Sequence, residues 1–279
     1  MSRVAVATST NAEDPDAPHL FAALARAGVS VDLVAWDAPA NWDSYDLVVV
    51  RSTWDYVARR DEFLDWARRV RRLANPYPVL EYSSDKHYLG DLAARGHRIV
   101  PSTFCDVGDA PRWPDGDVVV KPTVGAGSAD AARYREDERA AAAAHVARLH
   151  EAGRDALIQP YVASVDERGE RAVVVIDGTF SHAMTKDAML NVDAATRTTD
   201  FRRRQLRRAE VEPDALEAAI ALLDDERFAD LLYARVDLVA TEAGWALLEL
   251  ELVEPMLFLT YDEAAADRLA AGIARRARD

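Results

Sequence analysis

Cysteine is almost missing: Cys105 is the only one in 279 residues. No intrachain disulfide can form, so the chain reads as suited to a reducing, cytoplasmic compartment, with Cys105 a small buried hydrophobe. Long hydrophobic runs are absent too. Nothing approaches the ~18 apolar residues of a membrane span, and no basic start leads into an apolar segment. Neither a membrane anchor nor a secretory leader is expected. Positive charge is scarce, with 34 basic against 48 acidic residues and a net charge of −14. Such a surface repels phosphate backbones and excludes nucleic acid as an expected partner. The 6 histidines show no metal-ligand spacing. No Ser-His-Asp or Cys-His arrangement, no G-x-x-x-x-G-K-[ST] loop and no internal repeat is recognisable.

What is present points to a large folded core. Hydrophobic residues make up 49% of the chain, enough for two or three lobes. The pattern predicts α/β architecture: an N-terminal parallel α/β domain over 1–95, a small lobe over 96–162 and a larger α+β lobe over 163–279. Strands are expected at 3–7, 29–36 and 46–50, and a helix from Ala17 to Gly28 with a glycine at its C-terminus. Phe63, Trp66, Ala67, Val70 and Leu73 recur at helical spacing, which predicts a helix over 61–74. Further on, helices are expected at 136–151, 213–223 and 262–277. Hairpins are expected around Asp177-Gly178 and over Glu242-Ala243-Gly244. The arginine cluster at 68–72 reads as a solvated helix face.

Two stretches carry chemistry. In the first, Val118-Val119-Val120 delivers Lys121 to the end of a strand, and a loop with Gly125, Gly127 and Ser128 follows. A fixed cation beside glycines lets backbone N–H groups approach phosphate oxygens, which suits a nucleoside triphosphate; a structural lysine at a strand end would look the same. In the second, Asp237 lies on one strand of the last hairpin, and Glu249 and Glu251 lie two apart on the other. Alternation puts Glu249 and Glu251 on one face. Clustered carboxylates repel one another unless a cation intervenes, and hard oxygen ligands beside a phosphate loop indicate Mg²⁺. Between the two, Gln159-Pro160-Tyr161-Val162 ends a strand and can offer backbone groups to an adenine edge, with Asp166 a candidate for a ribose hydroxyl. Lys186 is either a phosphate or acyl-phosphate contact or a solvent-facing strand lysine. His182 is given no role.

Arg51-Ser52-Thr53-Trp54-Asp55-Tyr56 follows an apolar strand, at the carboxyl end where open α/β sheets bind ligands. Arg51 can fork onto a carboxylate, and Ser52 and Thr53 can bond an amino-acid head group. Equally, Arg51 can pair with Asp55 while Trp54 and Tyr56 pack against Phe63 and Trp66.

The order Lys86 (in Asp85-Lys86-His87-Tyr88-Leu89), Val120-Lys121-Pro122 with its Gly loop, Gln159-Pro160-Tyr161-Val162, Gly169-Glu170, Asp237 and Glu249-x-Glu251 resembles the ATP-grasp superfamily over about residues 80–260. Within it the chain looks like the group of glutathione synthetase and the ribosomal-protein glutamate ligases. The segments 51–56 and 248–255 are similar to those of the D-cycloserine synthetase type, the O-ureido-serine cyclo-ligases. The resemblance implies an ATP- and Mg²⁺-dependent carbon–nitrogen ligase acting on an amino-acid-like small molecule, by ring closure or by joining two molecules. A non-catalytic nucleotide-binding module is the alternative from another class, against which the clustered Asp237, Glu249 and Glu251 speak. The resemblance leaves a homo-oligomer open. Lys86 and Lys121 would bind phosphates, 159–162 would form the adenine hinge, and Asp237, Glu249 and Glu251 would hold Mg²⁺. Lys186, Arg202 and Arg235 are the candidate catalytic cations. Arg51, Ser52, Thr53, Asp55, Glu170 and Arg204 are the candidate substrate contacts. Two departures stand out: Glu251 replaces the superfamily's usual Asn, and Phe201-Arg202-Arg203-Arg204 lacks the Gly pair that normally follows.

Overall fold

Three sheets organise the chain in a computed structural model that describes residues 2–10, 12–188, 190 and 206–279. The first is parallel, with β1 (Arg3–Thr8), β2 (Ser30–Ala35), β3 (Leu47–Val50) and β4 (Leu73–Ala74) in the order β2-β1-β3-β4. All four residues of β3 are buried, the run expected of a strand covered on both faces. α1 (Ala17–Arg26) and α2 (Arg60–Arg69) flank this sheet, followed by α3 (Tyr77–Ser83) and α4 (Tyr88–Ala94).

The helix expected over 61–74 stops at Arg69. Val70 turns to extended backbone (φ −79°, ψ 112°), and Leu73 and Ala74 pair with Val48 and Val49 as β4. Leu73 fits helical spacing, yet a sheet position half-buries it as well, and β-branched Val70 favours the extended state. Arg68 and Arg69 are exposed on α2 as expected, whereas Arg71 and Arg72 are exposed beyond its end.

The second sheet is antiparallel: β5 (Thr103–Cys105), β6 (Val118–Pro122), β7 (Ala132–Tyr134) and β8 (Ala156–Pro160), in the order β5-β8-β6-β7. α5 (Arg139–Glu151) packs its Ala142, Val146 and Leu149 against it, and Cys105 is buried in the same cluster. After α6 (Ser164–Arg168) comes the third sheet. Its strands are β9 (Glu170–Ile176), β10 (Thr179–Lys186), β11 (Leu206–Ala209), β12 (Tyr233–Thr241) and β13 (Gly244–Glu251), ordered β11-β10-β9-β12-β13. α7 (Pro213–Leu223) lies between β11 and β12 in the chain, and α8 (Glu263–Arg276) closes it. The last hairpin turns on Glu242-Ala243 alone, because Gly244 (φ 108°) already begins β13.

Remote contacts tie the sheets together. Leu20 and Leu24 of α1 share one core with Leu269 and Ile273 of α8 and with Tyr233. Asn75, at φ 53°, donates to Tyr233 O (2.9 Å) and Leu252 O (2.7 Å) and accepts from Leu232 N (2.8 Å). Hydroxyls close the outer edge of β13: Tyr88 accepts from Leu250 N (2.8 Å), and Ser83 donates to Leu250 O (3.0 Å) and accepts from Leu252 N (3.2 Å). An edge strand held this way presents its other face rigidly. Among the described residues, no helix is long and apolar enough to cross a membrane.

Candidate functional site

A cavity of about 810 Å³ opens between the second and third sheets, and its third-sheet wall is a face of opposed charges. Arg235 and Asp237 are two apart on β12 and point the same way; their register partners on β13 are Glu251 and Glu249. A bulge follows, as Asp237 opposes Glu249 while Leu238 opposes Leu247. The extra residue lets the consecutive Leu248 and Glu249 both line the cavity. On β9 and β10, Glu170 and Lys186 are register partners.

These groups satisfy one another. Lys186 Nζ donates to Asp237 Oδ2 (2.7 Å) and lies 2.6 Å from Glu170 Oε2. Arg235 reaches Asp237 through Nε and Nη2 (3.0 Å each), Glu251 through Nη2, and Met256 O through Nη1 (3.0 Å). Lys86 Nζ sits 3.0 Å from Glu249 Oε1 and donates to Gly125 O at 2.9 Å. Burial alone would raise the Asp237 carboxyl, but Arg235 and Lys186 hold it low. Burial acts on Glu249 in the same direction, and Lys86 and Lys121 overcome it. For Glu251 burial wins, with Asp237 and Glu249 adding to it against Arg235, and the carboxyl is pushed up to about 7. Glu254, also in the cavity wall, is pushed up to about 8 by burial and by Glu251. Burial lowers Lys121, with Glu249 opposing.

The opposite wall is the second sheet. Lys121 projects from β6, and the loop after it is strapped at its root: Thr123 N donates to Asp155 O (3.0 Å) and Lys86 N to Thr123 O (2.9 Å). Gly127 and Ser128 are both at positive φ (62° and 58°), so this loop turns in a conformation that glycine takes without a Cβ clash. Gly125, Gly127 and Ser128 all line the cavity, as do Gln159, Pro160, Tyr161 and Val162. Gln159 is held by Ser102 Oγ (2.9 Å). Asp166 lies behind that wall, accepting from the Tyr161 hydroxyl and from Arg133 Nη1 (3.4 Å).

The 51–56 segment sits differently. Trp54 lines the cavity and Nε1 donates to Glu254 O (3.4 Å). Arg51 lies behind it, 2% exposed, with Nη2 3.9 Å from Asp14 Oδ2 and 3.6 Å from Asp16 Oδ2. Ser52 bonds Thr8 Oγ1 (2.8 Å), Thr53 is fully buried, and Asp55 accepts from Trp36 Nε1 (2.9 Å) and Arg59 Nη2 (2.6 Å). The first strand's loop brings Glu13 and Asp14 into the cavity wall, together with Tyr261. Nothing local in the sequence marks Asp14, Asp16 or Asn75, since their partners lie far away in the chain. Arg202 and Arg204 lie outside the described residues. The fold also gathers ligand atoms of His87, Asp106 and Asp155 within 4.8 Å of one another, which spacing did not indicate. His87 Nε2 already pairs with Asp106 there, at 3.3 Å.

The family model described as D-cycloserine synthetase DcsG, N-terminal domain, matches residues 4–75. The chain is 38% identical over 283 residues to a cycloserine biosynthesis protein of Streptomyces lavendulae, covering 94% of each. It matches the crystal structure of D-cycloserine synthetase with a TM-score of 0.88 at 34% identity, over 99% of both chains. D-alanine–D-alanine ligase from Bacillus anthracis complexed with ATP gives a TM-score of 0.70 at 13% identity, over 100% of this chain and 98% of that one, a likeness of fold alone.

Proposed function

The chain belongs to the D-cycloserine synthetase family of ATP-grasp ligases, and from that premise we propose both its reaction and the residues that perform it. A carboxylate oxygen of an amino-acid-like substrate attacks the γ-phosphorus of ATP, and ADP leaves. A nitrogen of the same molecule then attacks the acyl carbon, loses its proton and expels phosphate, which closes a ring through a new C–N bond. O-ureido-serine is the proposed substrate. The observation that carries this reading is the charge face: Lys86, Lys121, Lys186 and Arg235 stand against Glu170, Glu249 and Glu251 around one cavity, with Asp237 buried behind Lys186 and Arg235.

That face suits phosphoryl transfer, where positioning and charge neutralisation do most of the catalytic work. Lys86, Lys121 and the 125–128 loop would hold phosphate oxygens, and Gln159 to Val162 the adenine. Arg235 and Lys186 would steady charge on the acyl phosphate. A lysine that now rests on a carboxylate can exchange onto a phosphate oxygen and release that carboxylate. Asp237, Glu249 and Glu251 are hard oxygen donors on adjacent strands, which fits Mg²⁺. They would hold the ion, whose chemistry when bound is to neutralise phosphate charge. Glu13, Asp14 and Glu254, beside Trp54 and Tyr261, give the other end of the cavity an acidic and aromatic lining. The substrate's ammonium group is proposed to dock there.

ADP release with Mg·ATP tests the reading across O-ureido-D-serine, single amino acids and pairs of amino acids. Turnover with the ureido compound alone is the expected result. Turnover that requires two amino compounds would replace ring closure by intermolecular ligation.

A further inference from the structure

Asp16 stands at the N-cap of α1, where an aspartate ordinarily accepts from the first turn, yet its side chain makes no cap bond. It reaches instead to the far end of the chain. Oδ2 accepts from Leu257 N and Oδ1 from Leu259 N, both at 2.8 Å, with the carboxylate 1% exposed. Phe258 lies between those two amides at φ 56°, ψ 36°, a left-handed conformation that a bulky residue rarely adopts. A rare conformation persists where its surroundings over-determine it, and here the two Asp16 bonds bracket it.

The clamped segment carries functional contacts. Met256 O accepts from Arg235 Nη1 (3.0 Å), and the Phe258 ring lies 5.3 Å from the Arg235 guanidinium. Leu257 O bonds His182 Nε2 (2.9 Å). Arg51 backs the clamp with its charge, 3.6 Å from Asp16. No hydrogen bond reaches its Nε or Nη1, although both are buried. A buried cation so poorly bonded still compensates the carboxylates beside it. Its guanidinium also lies 5.6 Å from the ring of Tyr233, two residues before Arg235 on β12.

We propose that Asp16, backed by Arg51, is a positioning residue for the ligase reaction. It fixes the main chain at 256–259 and, through Met256 O and the Phe258 ring, orients Arg235 at the reacting end of the cavity. This rests on the reading that Arg235 meets the reacting groups. The N-terminal lobe then sets the geometry of a catalytic cation on the C-terminal sheet.

Full-length Asp16→Asn and Asp16→Ser test it. Serine is as good an N-cap residue as aspartate but cannot span both amides. Both variants should lower kcat about 10- to 100-fold, the scale of removing a residue that orients a metal ligand, with KM for ATP changed less than about 2-fold. Combined with Arg235→Lys, Asp16→Asn should add little further loss, because both changes act on one contact. Arg51→Gln should lower kcat in the same direction and also fail to add to Asp16→Asn. Wild-type kcat in Asp16→Ser, or a double variant whose loss is the product of the single losses, would overturn the proposal. Hydrogen exchange of the 257 and 259 amides without substrate separates this from the reading of the reaction. Faster exchange in Asp16→Asn is expected whether or not the wild type turns over the panel, and unchanged protection would remove the clamp.

Discussion

Lys86 Nζ lies 3.0 Å from Glu249 Oε1 and 2.9 Å from Gly125 O, so one ammonium joins the carboxylate face to the phosphate loop. Glu249→Gln leaves Lys86 only its carbonyl partner and leaves half-buried Lys121 without its main compensating charge. ADP release at saturating Mg²⁺ should fall about 100-fold or more, the scale of losing one electrostatic contact in an active site. Glu249 is 27% exposed, so stability should drop by about 1–2 kcal/mol rather than the larger loss of a fully buried pair. Steady-state ADP release and urea unfolding of the same protein measure both; unaltered turnover would take Glu249 out of the site.

Gly169 has φ 67°, ψ −178°, and a Cβ there would stand 2.6 Å from Lys186 O and 2.7 Å from Thr185 Cγ2. The backbone conformation alone is nearly restricted to glycine and costs other residues about 1–3 kcal/mol. Gly169→Ala should therefore destabilise the fold by at least ~2 kcal/mol. Relief of the clash pushes the end of β10 away from the start of β9 and draws Lys186 off Glu170 and Asp237. kcat should fall by more than the unfolded fraction accounts for, and a stable, fully active Gly169→Ala protein would refute this.

His182 is 2% exposed; Nε2–H donates to Leu257 O (2.9 Å), and Nδ1 pairs with Ser181 Oγ (2.9 Å). Burial lowers its pKa below the ordinary 6.5, against the pull of that carbonyl and of Asp262. Below pH 6.5 the unfolded chain takes up a proton that the folded ring refuses. The stabilisation is complete above 6.5 and is lost as pH falls toward the folded value. His182→Gln should be less stable than wild type at pH 7.5 and lose less on going to pH 5.5. Melting temperatures at the two pH values check this, and equal losses in the two proteins would count against it.

Much of the fold was legible because its signals are local. Period-2 alternation identifies Glu249 and Glu251 as sharing a face, and the register of β12 with β13 adds Asp237 to them. The strand before Lys121 and the glycines after it mark the loop that lines the cavity. Periodicity failed at Leu73, where helical spacing and sheet burial ask for the same residue type. Arg51 could be read either as a carboxylate fork or as a partner of Asp55. In the structure it meets Asp14 and Asp16, while Asp55 is taken by Trp36 and Arg59.

The sequence by itself determined many of the strands and helices, which carboxylates share a strand face, and that a lysine precedes a flexible loop. Those properties depend on neighbours one to four positions away, so backbone geometry suffices to read them. Only the tertiary structure decided what each charge meets. Lys86 finds Glu249, Asn75 finds Tyr233, and Asp16 finds Leu257 and Leu259, each across more than 150 residues of chain. A buried charge or amide must be satisfied wherever the fold places it. Which distant partner satisfies it is set by packing three sheets together, and no local pattern encodes that choice.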